Sequence, residues 1–309
     1  MFTFRLLILA SLVHFTSASA SALTSADQSG TSVPPYYGET FAKNYKNYGQ
    51  LEIKQALAKI YNSFHIKKDN AFDVISDTCS TPAQNEAAQG TGTCYKQTQN
   101  KYADARAIVT TKLDLQQNSQ GYFIWEIYCD RAFTEADFPA GQGPNPTNPP
   151  DSKIINIEHT WPQSLFSTSF SKELQKGDLH HLYPSDDQVN SQRGNHPFAE
   201  VAVETENTGC PTTSKLGNID PSLQLPNKGD LYFEPPARHR GNVARSLFYF
   251  SVRYQMSLDP VQEYFLRKWN REDPIDQAER ARHEKIFAIQ GNRNPFIDFP
   301  DLADQIKDF

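Results

Sequence analysis

Glu158 and His159 stand side by side, and Asn190 follows 32 positions after the glutamate. Hydrolysis of a phosphodiester with metal assistance needs hard oxygen ligands that leave water on the ion, and a base to deprotonate an attacking water. A carboxylate and an amide oxygen are such ligands, and an imidazole titrates near neutrality. Each residue has a bland reading as well: an isolated Glu-His pair is usually a surface pair, and a helical asparagine is usually a cap or solvated. His180-His181 suggests zinc, but neighbouring strand residues point to opposite faces, so at most one of the two can serve a given metal. The same rule applies to Glu158-His159, which must sit where a strand ends, with Pro162 enforcing the exit.

The flanking sequence supplies elements to hold these groups. Ile154 to Ile157 is a short β-rich run, and Leu179 to Tyr183 reads as a second strand closed by Pro184. Ser185 or Asp186 then caps a short helix that ends near Gly194. Upstream, the apolar positions of 38–64 mostly recur at three- and four-residue steps, a packing helix, whereas 105–115 and 121–129 are β-branched and aromatic and suit strands. Between Pro139 and Pro150 lie five prolines and two glycines, a surface loop. Asn242–Met256, Pro260–Trp269 and Ile275–Ile289 read as helices. The expected fold class is α+β, a strand–loop–strand–helix core of about 154–196 in a largely helical domain.

Residues 1–20 carry one early charge, Arg5, an apolar run from Leu6 to Val13 and the small triplet Ala18-Ser19-Ala20, which is the pattern of a secretory signal peptide. The run is too short to span a bilayer, so no membrane association is expected after its removal. Residues 21–37 read as a flexible mature N-terminus, and 38–309 as one domain. Four cysteines are an even number in a chain bound for an oxidising compartment; the short Cys79–Cys94 segment looks like a stapled loop, which leaves Cys129 with Cys210. A zinc site is the rival reading, weakened by the absence of any C-x-x-C pair. The net charge of −6 speaks mildly against a polyanionic partner, yet between Tyr232 and Tyr254 the arginines 238, 240, 245 and 253 face only one acid, Glu234.

Taken together, Ile157-Glu158-His159-Thr160-Trp161-Pro162-Gln163-Ser164, Gly177-Asp178-Leu179-His180-His181-Leu182-Tyr183-Pro184 and Gln188-Val189-Asn190-Ser191-Gln192-Arg193-Gly194-Asn195 resemble the bacterial endonuclease I family of ββα-metal (His-Me finger) nucleases. Segments beginning at Phe233, Gly241 and Gln290 look like that family's C-terminal signatures. The resemblance implies an endonuclease acting on DNA and also RNA. The signal-peptide pattern places it in the periplasm or outside the cell, the small catalytic unit with Lys and Arg as candidate contacts predicts little sequence specificity, and a monomer is expected. It implies His159 as general base, Glu158 and Asn190 as ligands of one Mg²⁺, with Mn²⁺ or Ca²⁺ as alternatives. A family arginine that steadies the scissile phosphate has no counterpart between His159 and Arg193, so Lys172 or Lys176 is a candidate substitute. Arg193, Arg240 and Arg245 are candidate phosphate contacts, Asn292, Arg293 and Asn294 are expected at the rim of the cleft, and His181 stands where the family places an amide. A catalytically silent nucleic-acid-binding protein of the same fold and a metal-dependent phosphatase are the alternatives.

Overall fold

A computed structural model describes residues 33–309 apart from 84, 87, 88, 207, 211, 212, 227 and 228. The signal-peptide reading of 1–20, and most of the expected N-terminal segment, lie outside the described residues. The helices are α1 (Gly38–Asn44), α2 (Gln50–Asn62), α3 (Tyr102–Ile108), α4 (Lys172–Lys176), α5 (Asp187–Arg193), α6 (Arg240–Tyr254), α7 (Pro260–Glu272), α8 (Gln277–Gln290), α9 (Pro295–Asp298) and α10 (Leu302–Gln305). Around them, among the described residues, lie four small antiparallel sheets. β1 (Phe64–Ile66), β2 (Val74–Ser76) and β3 (Cys94–Tyr95) run in the order β2-β1-β3; β4 (Leu115–Asn118), β5 (Gly121–Trp125) and β6 (Ala132–Thr134) form a meander. β7 (Ile155–His159) pairs with β8 (Leu182–Asp186), and β9 (Val203–Glu206), β10 (Lys215–Asn218) and β11 (Tyr232–Glu234) form the last sheet. The fold is α+β, with α5 packed on the β7–β8 pair.

α6 organises the core. Of its 15 residues, 13 are buried, so it is a central helix surrounded by others rather than an amphipathic one on a surface. Phe248 stacks near Phe296 and Phe309, and Trp161 and Phe250 stack across to the segment after β7. Gly241 is required where α6 starts: a Cβ there would lie 2.1 Å from the Asp273 carbonyl oxygen.

Three expectations change. Of the segment 105–115, residues 105–113 are helical, because Ala105, Val109 and Leu113 recur every four residues and all are buried, and only Leu115 begins a strand; the stripe outweighs the β-propensity of the Ile-Val-Thr-Thr run. The fold begins before Gly38, since Val33, Tyr36 and Tyr37 are buried and the Tyr37 hydroxyl donates to Asp298 at 2.6 Å. The second strand starts at Leu182, after a 3-10 turn of Leu179–His181, and Pro184 lies within it. Proline fits there because the sheet has two strands only, and its carbonyl accepts from the Ile127 amide at 3.1 Å.

Both disulfides are formed, Cys79–Cys94 and Cys129–Cys210.

Candidate active site

The end of β7 and the helix α5 wall one cleft of about 490 Å³, whose lining includes Tyr102, Glu158, His159, Gln163, Asn190 and Arg193. The strand end aims both neighbours usefully. Glu158 still pairs in register with Tyr183, and His159 with Leu182, while Pro162 turns the chain into a short 3-10 helix at Gln163–Leu165. Asp186 caps α5 by accepting from the Gln188 and Val189 amides, at 3.0 and 3.2 Å, and Asn190 follows on the helix's inward side.

Glu158 is 2% exposed. Burial pushes its carboxyl above the usual carboxylate range, against the Arg193 guanidinium and a hydrogen bond from Tyr128. Both partners reach the same oxygen, Oε1: Tyr128 Oη donates at 2.7 Å and Arg193 Nη1 lies at 2.8 Å. Oε2 is thereby left to the cleft. Tyr128 is itself anchored, since its carbonyl accepts from Ser214 Oγ at 2.7 Å and Thr213 Oγ1 at 3.0 Å, close to the Cys129–Cys210 disulfide.

His159 is fixed by backbone. Its Nε2 donates to the Lys176 carbonyl at 3.1 Å, which assigns the proton to Nε2 and makes Nδ1 the basic nitrogen. Gln163 Nε2 lies 3.3 Å from Nδ1 and donates toward it. Burial first, then the nearby His181 and Lys176 charges, push the imidazole down to about 3. His181 Nε2 donates to the Gln175 carbonyl at 2.8 Å, so the last carbonyls of α4 hold two histidines in succession. Gln175 in turn ties α4 to its preceding loop through Ser167 and Phe170.

The donor set suits a hard divalent cation. Asn190 Nδ2 lies 3.5 Å from the Ile157 carbonyl oxygen, which leaves its amide oxygen available, and Asn190 and Glu158 line the same cleft. Two protein oxygens and open space for water are the donors of a hard divalent cation, whereas structural zinc sites are built mainly from nitrogen and sulfur. A second cluster, His283, Glu284 and Asp298, has metal-ligand types, but Arg293 lies 2.5 Å from Glu284 and 2.7 Å from Asp298 and neutralises it.

The expected phosphate contacts are largely committed elsewhere. Arg193 is 1% exposed and also donates to the carbonyls of His159 and Thr160, so it braces Glu158 rather than reaching substrate. Arg245 is 1% exposed and grips Glu279 with Nε and Nη2, at 2.7 and 2.6 Å. Arg240 pairs with Glu234 and approaches Glu200. Lys172 is exposed at the start of α4 and does not line the cleft. Asn292, Arg293 and Asn294 are buried at 1, 5 and 1% exposure and belong to interior networks instead of a rim. His180 is a core residue, bonded to the Asn292 carbonyl. Sequence reasoning missed Tyr128 and Tyr102, which carry no motif; Gln163 was quoted within one but given no role.

Two antiparallel strands and a following short helix, with a carboxylate, an imidazole and an amide around one cleft, are the ββα-metal architecture of nucleases. Residues 84–301 match Endonuclease I, and the chain belongs to that family, whose nucleases depend on a divalent metal. It is 37% identical over 169 residues to a protein of Bacillus subtilis (strain 168) named extracellular ribonuclease, a match covering 49% of this chain and 53% of that one. It is 30% identical over 132 residues to a periplasmic deoxyribonuclease of Aeromonas hydrophila (43% and 51%), and 27% identical over 122 residues to endonuclease-1 of Buchnera aphidicola (40% and 44%). The chain thus spans about half the length of the curated relatives it matches.

Proposed function

We propose that the protein is an endonuclease that hydrolyses phosphodiester bonds in DNA, and in RNA as a second substrate, with little base specificity. The observation that carries this reading is His159: its Nε2 proton is held by a main-chain carbonyl, and its basic Nδ1 lies in the cleft beside Glu158 and Asn190. His159 takes a proton from water at Nδ1 as that water attacks phosphorus and the bond from phosphorus to the leaving oxygen breaks; the leaving oxygen takes a proton from solvent, and the imidazolium returns its own proton to solvent. Glu158 and Asn190 would hold one Mg²⁺, with Mn²⁺ or Ca²⁺ as alternatives; when bound, the ion supplies positive charge to the phosphoryl and leaving oxygens. Tyr128 and Arg193 keep Glu158 in place, and Gln163 orients the water. Relatives with deoxyribonuclease and ribonuclease names support both substrates.

We also propose that the chain acts outside the cytoplasm, as a monomer. Two disulfides and relatives named extracellular or periplasmic support export, and no described helix is long and apolar enough to cross a membrane. N-terminal sequencing of the exported protein tests the expected start near Ser21.

A plasmid-nicking assay with and without EDTA tests the activity. Nicking should require a divalent cation, and His159→Ala should lose activity by about 10²- to 10⁴-fold while calorimetry still detects metal binding. Loss of metal binding in that variant would make His159 a ligand and overturn its role as base.

A further inference from the structure

The cleft as described lacks a free positive charge for a phosphate, since Arg193, its one lining arginine, is neutralised by Glu158. Among the other described cations near it, Arg106 donates to the Pro150 carbonyl and lines a separate hollow formed by 141–153. Lys172 points into solvent at the far end of α4. Lys176 differs from both. Its backbone carbonyl is the acceptor for His159 Nε2, and its ammonium lies 4.6 Å from the centroid of the Tyr102 ring, which lines the cleft and sits 5.2 Å from the His159 ring. No carboxylate lies within ion-pair distance of Lys176 among the described residues.

We propose that Lys176, held at the cleft mouth on the Tyr102 ring, is the residue that binds the scissile phosphate of the nucleic acid. The placement is built into the fold. Gly177, the next residue, touches the Asn100 main chain so closely that a Cβ would lie 2.1 Å from the Asn100 carbonyl oxygen, and Asn100 Nδ2 donates to the Gly177 carbonyl at 3.3 Å. That contact locks the end of α4, with Lys176, to the start of α3, with Tyr102. The cation–π contact parks the ammonium without neutralising it, and the four-carbon stem lets it swing onto a phosphate that enters beside His159. A lysine contributes a point charge with rotatable donors, so the site needs positive charge rather than a bidentate fork.

This inference rests on the nuclease reading, and the test separates the two. Duplex DNA binding is measured by anisotropy in EDTA across a salt series, alongside nicking with Mg²⁺, for wild type, Lys176→Ala, Lys176→Arg, Tyr102→Ala and Lys172→Ala. Lys176→Ala should lower nicking about 100-fold and flatten the slope of log affinity against log salt by about one. Lys176→Arg should stay within about tenfold of wild type, Tyr102→Ala should fall between, and Lys172→Ala should match wild type. A wild-type protein that never nicks DNA under any divalent cation would reject the nuclease reading itself. An active wild type with Lys176→Ala equal to Lys172→Ala in both measurements, at unchanged melting temperature, would overturn the role of Lys176.

Discussion

In the ββα unit the buried polar groups keep one face toward the cleft: Glu158 gives Oε1 to Tyr128 and Arg193 and leaves Oε2, and His159 gives its Nε2 proton to a carbonyl and keeps Nδ1 for a long contact of 3.3 Å with the exposed-side Gln163 amide, which a water can replace. Around α6 the polar groups close on one another. Arg245 ends on Glu279, Asn270 and the Asp273 carbonyl; Arg253 on Gln97 and Asn62; Arg240 on Glu234. The first region stores reactive lone pairs at the edge of water, and the second uses charge as internal fastening. A buried group with spare valence is poised for chemistry, while a buried ion pair whose donors are all matched is structure.

The sharpest way to break this contrast is to remove one residue from each region. Arg245→Ala leaves Glu279 buried without its partner and should cost about 3–5 kcal/mol of stability, with cleavage per folded molecule unchanged. His159→Ala should do the reverse, with a melting temperature near wild type and the activity loss already given. Urea unfolding and nicking on the same two preparations decide it; an Arg245→Ala protein of normal stability and poor DNA binding would move the basic segment into the substrate path.

The acid limb of stability probes the same fastening. Burial, reinforced by Arg238, Arg282 and Arg245, holds His239 down at about 3, so the folded protein keeps it neutral while the unfolded chain takes a proton below about 6.5. Stability therefore falls as pH drops from about 6.5 toward 3, by about 1.4 kcal/mol per pH unit for this one residue. His65, buried and held at about 4, adds to the fall down to that pH. Urea titrations at several pH values should show that slope, reduced in His239→Gln; a flat profile would mean that His239 is not buried and neutral.

How much of this was readable beforehand follows the range of the interactions. Glu158, His159 and Asn190 sit in one continuous strand–loop–strand–helix stretch, so strand alternation, Pro162 and the Asp186 cap were enough to bring them together on paper. The partners of the arginines were not, because they are tertiary: Glu279 is 34 positions from Arg245, and Gln97 is 156 from Arg253. Local composition showed four arginines facing one acid and could not show carboxylates and amides arriving from other elements. Tyr128 had no signal either, since its role exists only once 30 residues of chain fold back onto β7. The helix at 102–113 was misread because a β-branched run and a four-residue apolar stripe compete in the same segment, and only burial decides between them.

Tyr128→Phe sharpens the catalytic side with a smaller effect. It deletes one hydrogen bond to Glu158 Oε1 and keeps the packing against Phe233, so metal affinity should weaken by roughly 10- to 100-fold at nearly constant stability. Calorimetric titration with Mg²⁺ or Mn²⁺ measures it, and affinity equal to wild type would place the metal away from Glu158.

The smallest effect separates the two regions most finely. Arg238 is the most exposed of the four arginines between Tyr232 and Tyr254; its side chain is 51% exposed, it pairs with Asp130, and it lies 4.6 Å from the centroid of the Trp125 ring. An exposed pair of this kind contributes about 0–1 kcal/mol, so Arg238→Ala should barely change stability. Its charge is already matched by Asp130, and Trp125 in turn donates to the same carboxylate at 3.0 Å. DNA binding should therefore keep the wild-type salt slope in Arg238→Ala, whereas Lys176→Ala, which removes an unpaired cation beside the base, flattens it. If Arg238→Ala flattened the slope as much as Lys176→Ala does, the exposed edge of the basic segment would be part of the substrate path, and the division between a reactive cleft and an internally fastened helix would fail at that edge.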